Sequence, residues 1–348
     1  MFEQQYKNTF DQVVASRDTV QEVLNLKTKQ RKKFRLTTLA AAVLLICLLA
    51  TTAFAYTGFV VYENPSQMMQ AFFGNGDLKN SQGKIYEDEY GQTIIWPAFQ
   101  REELDQDAVQ TYVAPHTFAV GKSVSEGNNT MTVEAYTYDA DTRCGLVYLH
   151  LEMPEGLPAH TVAENGQLIW QGPEIIYSHD VIVEFYVDRQ QSGNTTMTLA
   201  GYFYLPDYYQ ENTVTLYLNQ GRWDNNPQLE FSLDTTGDMD IITAGSGGIV
   251  LAPFSIVVYG DRLGMLTESM ETNPDYVEIR YADGTSYVVC DETGEIYMLN
   301  YANAIVERGK NSDGYETDRY CATYLLNRVV SLDNVKEIVV DGTVYPVD

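Results

Sequence analysis

The stretch Val181-Ile182-Val183-Glu184-Phe185-Tyr186-Val187-Asp188 alternates: Val181, Val183, Phe185 and Val187 fall on one side, Ile182, Glu184, Tyr186 and Asp188 on the other. A side-chain period of two puts successive residues on opposite faces of an extended chain, so the stretch is expected to be a half-buried strand. The same period recurs around it. Met131, Val133 and Ala135 alternate with Thr130, Thr132 and Glu134; Val147, Leu149 and Leu151 with Tyr148 and His150; Val214, Leu216 and Leu218 with Thr215, Tyr217 and Asn219. Gly, Asn, Asp and Pro bound these runs, as turns between strands require. About seven strands are expected between Thr117 and Leu233, the number an immunoglobulin-like β-sandwich needs. Inside this region Thr130-Met131-Thr132-Val133 with Tyr136 and Tyr138 is echoed by Thr196-Met197-Thr198-Leu199 with Tyr202 and Tyr204, and a V-x-L-x-L strand follows each copy, at Val147 and Val214. The echo marks either two copies of a hairpin in one sandwich or two separate units. The first fits the length better, because neither copy can close a core alone.

Downstream, a second β-rich region begins near Ile241. Ile249–Tyr259 reads as a long apolar strand interrupted by Pro253, which points to a sheet edge or a bulge. Asp283-Gly284 between Tyr276–Tyr281 and Thr285–Cys290, and Asp341-Gly342 between Glu337–Val340 and Thr343–Val347, are hairpin signals. Glu295–Leu299 adds a strand, and Cys321–Val330 is a strand or a short helix. Gly245-Ser246-Gly247-Gly248 lacks the Lys of a phosphate loop and is expected to connect the two β regions flexibly.

Upstream, Leu36–Tyr62 contains no charge and Ala40–Ala50 is wholly apolar. About 20 such residues, at roughly 1.5 Å each, span a hydrocarbon core of about 30 Å. Lys27, Lys29, Arg31, Lys32, Lys33 and Arg35 precede the run and Glu63 is the first charge after it. Residues 1–35 carry a net charge of +4 and the remainder −30, within a total of −26. Basic flanks stay on the cytoplasmic side, so the expected topology is a single pass with the N-terminus inside and the acidic bulk outside. The basic cluster would rest on anionic headgroups, and an acidic chain is not expected to bind nucleic acid. Ala53-Phe54-Ala55 would permit cleavage after Ala55, but a 35-residue leader is long for a signal peptide, which favours an uncleaved anchor.

The stub before the membrane has helical spacing. Phe10, Val13 and Val14 share one face and Val20, Val23 and Leu24 the next, with Thr19 and Glu22 as a capping box. So short a segment cannot bury that face by itself, so the lipid surface or a partner protein must cover it. Just outside the membrane, Asn64-Pro65 starts a short helix with Met68, Met69, Phe72 and Phe73 as its apolar side and Gly74 as its stop. Residues 74–114 read as a polar connector with Ile94-Ile95-Trp96 as its one strong apolar cluster.

Chemistry is sparse. His116, His150, His160 and His179 have no metal-ligand spacing. Acidic pairs occur at Asp139/Asp141 and Asp238/Asp240, but nothing matches a particular two for glycosidase chemistry. Asn311-Ser312-Asp313-Gly314 with Glu316 and Asp318 has the oxygens of a calcium loop without the EF-hand spacing, and a solvated loop is the better reading. No catalytic residue, cofactor or metal ligand is expected. Cys144, Cys290 and Cys321 are an odd number outside the membrane run; Cys290 and Cys321 have the option of pairing. Asn128-Asn129-Thr130 and Asn194-Thr195-Thr196 match the glycosylation pattern.

Several segments together resemble a known family: Tyr6-Lys7-Asn8-Thr9-Phe10-Asp11, Glu22-Val23-Leu24-Asn25 and the basic run; Ala50-Thr51-Thr52-Ala53-Phe54-Ala55-Tyr56 and Asn64-Pro65; Val120-Gly121-Lys122-Ser123-Val124; Leu251-Ala252-Pro253-Phe254-Ser255-Ile256; and Val339-Val340-Asp341-Gly342-Thr343. They are similar to a domain-of-unknown-function family of Gram-positive (Firmicutes) membrane-anchored proteins, often labelled anti-sigma factors for extracytoplasmic-function sigma factors. The resemblance implies a tether whose stub holds a sigma factor until an outside signal releases it. It carries over no catalytic residues, and the His-Cys-Cys zinc motif of the larger zinc-binding anti-sigma class is absent. The expected organisation is mainly β: a cytoplasmic helical stub at 1–35, a transmembrane helix at 36–58, a juxtamembrane helix and connector at 59–115, an immunoglobulin-like β-sandwich at 116–236 and a C-terminal β-rich domain at 237–348. The expected function is an anti-sigma-type regulator with an extracytoplasmic sensor for an unspecified ligand. The alternative is a surface module that binds glycan or an envelope protein, with the stub only an anchor.

Overall fold

Strand-forming alternation has its outcome in a mainly β protein of several sheets, seen in a computed structural model. The structure describes residues 63–73, 84–87, 93–96, 98–99, 104–163, 166–171, 175–179, 181–219, 227–234, 239–265, 274–291, 298–299, 301–310 and 316–347. All of them belong to one unit, Phe59–Asp348. The expected stub, spanning segment and basic cluster lie outside the described residues. Among those described, no helix is long and apolar enough to cross a membrane.

The first element among the described residues is helix α1 (Pro65–Phe73). Asn64 caps it as expected: its Oδ1 accepts from Gln67 N (3.3 Å) and its Nδ2 donates to Gln67 Oε1 (3.0 Å). Met68 and Met69 are completely buried. Residues 74–114 are more than a connector. They contain the antiparallel hairpin β1 (Lys84–Glu87) and β2 (Thr93–Trp96), the strand β3 (Ala98–Phe99) and helix α2 (Gln106–Ala108), capped by Asp105 and continued by a π turn, Val109–Val113, and a 3-10 turn, Ala114–His116. The Ile94-Ile95-Trp96 cluster is the β2 strand itself.

Ten strands, rather than about seven, lie between Thr117 and Leu233 among the described residues. They are β4 (Thr117–Glu126), β5 (Asn129–Asp139), β6 (Cys144–Glu152), β7 (His160–Val162), β8 (Leu168–Trp170), β9 (Ile176–Tyr177), β10 (Ile182–Asp188), β11 (Thr196–Tyr204), β12 (Thr213–Leu218) and β13 (Gln228–Ser232). One antiparallel sheet has the order β10-β11-β6-β5-β4, a second β13-β12-β9, and β7 pairs with β8. Met131, Val147, Leu149, Met197, Leu199 and Phe203 from the first sheet share one core with Val214, Leu216 and Phe231 from the second.

The expected half-buried strands are buried on both faces over much of their length. Tyr148 and Tyr186 take places that alternation assigns to the outer face, yet they and Tyr202 and Tyr204 are each at most 2% exposed. They join a second core with Met68, Met69, Val109 and Val113 from the helices and with the remaining strands. Those are β14 (Ile242–Ala244), β15 (Ile249–Ala252), β16 (Ser255–Tyr259), β17 (Tyr276–Tyr281), β18 (Ser286–Asp291), β19 (Met298–Leu299), β20 (Tyr301–Lys310), β21 (Glu316–Leu326), β22 (Val335–Val340) and β23 (Thr343–Pro346). They form a five-stranded sheet, β14-β15-β16-β21-β20, and a six-stranded sheet, β23-β22-β17-β18-β19-β3, antiparallel except for the β19–β3 pair. Tyrosine suits the second core because its ring fills volume while its hydroxyl reaches a polar partner. Tyr202 Oη donates to Leu326 O and Tyr324 Oη to Pro274 O (3.2 Å).

The internal echo has a spatial meaning. β5 and β11 flank β6, and Thr130 and Thr196 both face Glu152, Met131 and Met197 both face Leu151, Thr132 and Thr198 both face His150. A register shift between Val133 and Ala135 then breaks the equivalence. One extra residue reverses which face every later side chain takes. Tyr136 and Tyr138 therefore enter the first core, and their counterparts Tyr202 and Tyr204 the second.

Three other expectations change. Pro253 lies in the two-residue turn Pro253-Phe254 between β15 and β16, because Ala252 pairs with Ser255. Gly245-Ser246-Gly247-Gly248 is the loop of the β14–β15 hairpin and not a connector. Gly245 has φ +59, and a Cβ there would lie 2.9 Å from both Leu263 and Tyr345, so the loop is held closely. Cys290 and Cys321 do not bridge; they are free buried thiols on different sheets, β18 and β21.

Candidate functional site

The β5–β6 turn, the segment after β11, the segment after β16 and the start of β21 surround a cleft of about 340 Å³. Its wall carries Asp141, Asp207 and Asp261 and, balancing them in formal charge, Arg143, Arg262 and Arg319.

Local chemistry explains how each is held. The β5–β6 turn is closed by Asp139, whose Oδ2 accepts from Thr142 N (2.9 Å) and Thr142 Oγ1 (2.5 Å). Thr142 Oγ1 in turn lies 2.7 Å from Ser255 Oγ at the start of β16. Arg143 follows with φ +60, a conformation that side-chain-bearing residues seldom adopt. From there its guanidinium donates to Leu205 O, Pro206 O and Tyr209 O, each at 2.7 Å, which fixes the segment after β11. Arg262 lies over the Tyr259 ring at 3.9 Å and donates to Gly247 O (2.8 Å).

Below the cleft lies a buried polar knot. Arg319 Nε is 3.3 Å from Glu307 Oε2, and both side chains are less than 10% exposed. Tyr204 Oη donates to Glu307, and Asp207 N donates to Glu307 Oε1 (3.1 Å). One carboxylate on β20 thus accepts from β11, from the segment after it and from β21. Desolvation opposes a buried charge, and close opposite charge with filled hydrogen-bond sites offsets it. For Arg319, burial pulls the pKa down, but Tyr204, Cys321, Tyr259 and Glu307 outweigh it and hold the guanidinium above its ordinary value. Burial pushes the Tyr204 hydroxyl far up, and the Asp139 carboxyl up against the opposing Thr142 bonds. Burial also pushes the Cys144 thiol up to about 12 and raises the Cys321 thiol. The Cys144 and Cys321 thiols and the Tyr204 phenol are thereby held in their protonated forms, and none of the three lines the cleft.

The residues expected to matter are placed as follows. Phe10, Val13, Val14, Val20, Val23 and Leu24, and Lys27, Lys29, Arg31, Lys32, Lys33 and Arg35, lie outside the described residues, as do Asp238 and Asn311–Gly314. Asp139 and Asp141 are separated, the first 1% exposed and the second at the cleft mouth. The histidines do not converge: His150 Nδ1 lies 2.8 Å from Thr198 Oγ1, His160 Nδ1 2.8 Å from Pro158 O, and His179 packs edge-on against Tyr177 and Tyr217. Among the described residues no three His, Cys, Asp or Glu side chains gather as a metal site would need. Glu307, Arg319, Arg143 and Asp207 were not singled out from the sequence. The available signal was a charge at the edge of each of two apolar runs, Ala304-Ile305-Val306-Glu307 and Arg319-Tyr320-Cys321-Ala322.

No family model matches the chain, and no curated protein matches it. A solved structure described as the crystal structure of the conserved domain protein from Bacillus anthracis is similar over 67% of this chain and 79% of that one, with 12% identity and a TM-score of 0.34. That likeness is too loose to carry a fold or a function across.

Proposed function

We propose that the chain is a membrane-tethered regulator of the anti-sigma type, with its β-rich body as the extracytoplasmic sensor. The observation that carries this is the partition of charge: +4 over residues 1–35 and −30 beyond, on either side of an uncharged run long enough to span a bilayer. In this reading Phe10, Val13, Val14, Val20, Val23 and Leu24 form the face that holds a sigma factor, and the cluster from Lys27 to Arg35 lies on anionic lipid. Burying several such side chains, at about 1.5–3 kcal/mol each before ordering costs, is enough for at least micromolar affinity. The cleft between Asp141 and Arg262 is the sensor's ligand site, because β5, β11, β16 and β21 all converge on it.

The sandwich part of the fold belongs to the same proposal. Its support is the single core shared by the β10-β11-β6-β5-β4 and β13-β12-β9 sheets. An immunoglobulin fold places its second and third strands in opposite sheets, whereas β4, β5 and β6 run consecutively in one. The arrangement here is therefore a two-layer relative of that fold rather than a copy.

Two measurements on the full-length chain in intact cells test the function. External protease should remove the mass beyond residue 62 and spare the N-terminus. Affinity capture of the chain should recover a sigma factor, and Val13→Asp with Leu24→Asp should abolish recovery without lowering expression. A protected C-terminal mass, or capture of no sigma factor from its own cell, would end the proposal.

A further inference from the structure

A second cavity, of about 440 Å³, lies away from the cleft, between the segment leading into α2, the β17–β18 hairpin and the chain between β21 and β22. That volume is within the range of small-molecule sites. Its lining mixes apolar surface with fixed polar groups. Val329 and Val330 are buried and supply apolar floor, beside the rings of Tyr281 and Tyr287. Arg328 lies over Tyr287 at 4.0 Å while its Nε donates to Asn327 Oδ1 (3.3 Å), so stacking and a hydrogen bond both set its plane.

Three carboxylates complete the wall: Asp105, Asp283 and Asp333. Two are held by one oxygen each. Asp105 Oδ1 accepts from Ala108 N (2.9 Å), and Asp283 Oδ1 accepts from Thr285 N (2.8 Å) and Thr285 Oγ1 (2.6 Å). Each carboxylate is thereby oriented by one oxygen, with its Oδ2 not used in those bonds. Asp333 and Ser331, both in the lining, also bear on the hydroxyl of Tyr112, a buried residue outside the lining.

We propose that this cavity binds a neutral polyhydroxylated ring, the saccharide unit of a glycan. The choice follows from the mixture of groups on the wall. A small anion would meet three carboxylates against one guanidinium. An organic cation, which the carboxylates favour by charge, would leave the Arg328 donors unmet and is the competing outcome in the test below, and no three ligating side chains gather for a metal among the described residues. Sugar hydroxyls donate to carboxylates and accept from a guanidinium within one ring, and the ring's C–H face suits apolar and aromatic wall. This inference gives a ligand class to a cavity separate from the sensor cleft, and it does not depend on the stub holding a sigma factor.

The test uses the full-length chain solubilised in lauryldimethylamine oxide, which has no sugar headgroup. Saturation-transfer NMR and calorimetry are run with N-acetylglucosamine, glucose and mannose, with glucosamine as the cationic probe, and with inorganic phosphate as the anionic one. At least one neutral sugar should bind with a roughly millimolar Kd, as expected for a single ring. Asp333→Asn, an exposed and isosteric change, and Arg328→Lys, which keeps the charge but loses the planar fork, should each weaken it about tenfold or more with the melting temperature unchanged. No binding by any neutral sugar overturns the proposal. So does binding that both variants leave intact, or a preference for glucosamine or phosphate over every neutral sugar.

Discussion

Phe203 on β11 is the cross-strand partner of Gly145 on β6, and its ring covers that glycine so closely that a Cβ at position 145 would lie 2.0 Å from Phe203 Cζ. The neighbouring pair repeats the arrangement: Phe185 on β10 faces Gly201 on β11, where a Cβ would lie 2.8 Å from the ring. Two aromatic rings thus fill the space that two missing side chains leave in the middle of the sheet. Gly145→Ala should cost about 1–3 kcal/mol or more through overpacking. Gly193→Ala, where the nearest atom would be Thr196 Oγ1 at an ordinary 3.4 Å, should change little. Thermal melts of the two variants check this. Equal melting temperatures would show that the ring moves aside freely.

The Glu307–Arg319 pair makes a second prediction. Arg319→Met leaves a buried carboxylate without its cation and should cost about 3–5 kcal/mol, while replacing both partners with apolar residues should cost less than the two single changes combined. A double-mutant cycle with Glu307→Leu measures the coupling, expected at about 1–3 kcal/mol. Strict additivity would mean the pair is only a neighbour contact.

A pH dependence follows from Asp139 and Glu184, whose carboxyls burial raises above their ordinary values of 3.8 and 4.5. The folded protein holds these protons more tightly than the unfolded chain. Their contribution to stability is therefore complete below the ordinary carboxylate range and is lost as pH rises through the raised folded values. Asn at 139 keeps an acceptor for Thr142 but has no proton to lose. The melting temperatures of wild type and Asp139→Asn should converge at acid pH, with the variant pulling ahead toward neutrality. A gap that is independent of pH would contradict the sign.

Thiol chemistry supplies a fourth prediction. Cys144, Cys290 and Cys321 are each at most 1% exposed, and burial raises the thiol pKa of Cys144 and Cys321. All three should resist alkylation in the folded protein at neutral pH and react together on unfolding, without prior reduction. Peptide mapping by mass spectrometry reads each site separately. Rapid labelling of one alone would reveal a local opening.

Local grammar was legible from the residues. Asp341-Gly342 turns the last hairpin with φ +47 and +78, as both central positions of such a turn demand. Asp283-Gly284 and the Asn64 cap followed from equally short signals. Partnerships across the sequence were not legible. Alternation assigns Tyr148 and Tyr186 to the outer face, and no window of eight residues records that another β region covers them. The register shift after Val133 leaves no local mark either, because Glu134 is as ordinary in a bulge as in a strand. Pro253 was ambiguous for the opposite reason: proline suits an edge, a bulge and a turn alike, and only the pairing of Ala252 with Ser255 decides. The candidate cleft assembles four segments distant in sequence, so no local window marks its arginines.

The sheet with two hidden sides has a practical outcome. Neither half of the β-rich body is a free-standing piece: trimming the chain near residue 237 would lay bare a wall of tyrosine rings on one fragment and the oily backs of β15 and β16 on the other. Fragments produced by a single cut there should cling to each other through gel filtration, and either one expressed alone should go to inclusion bodies.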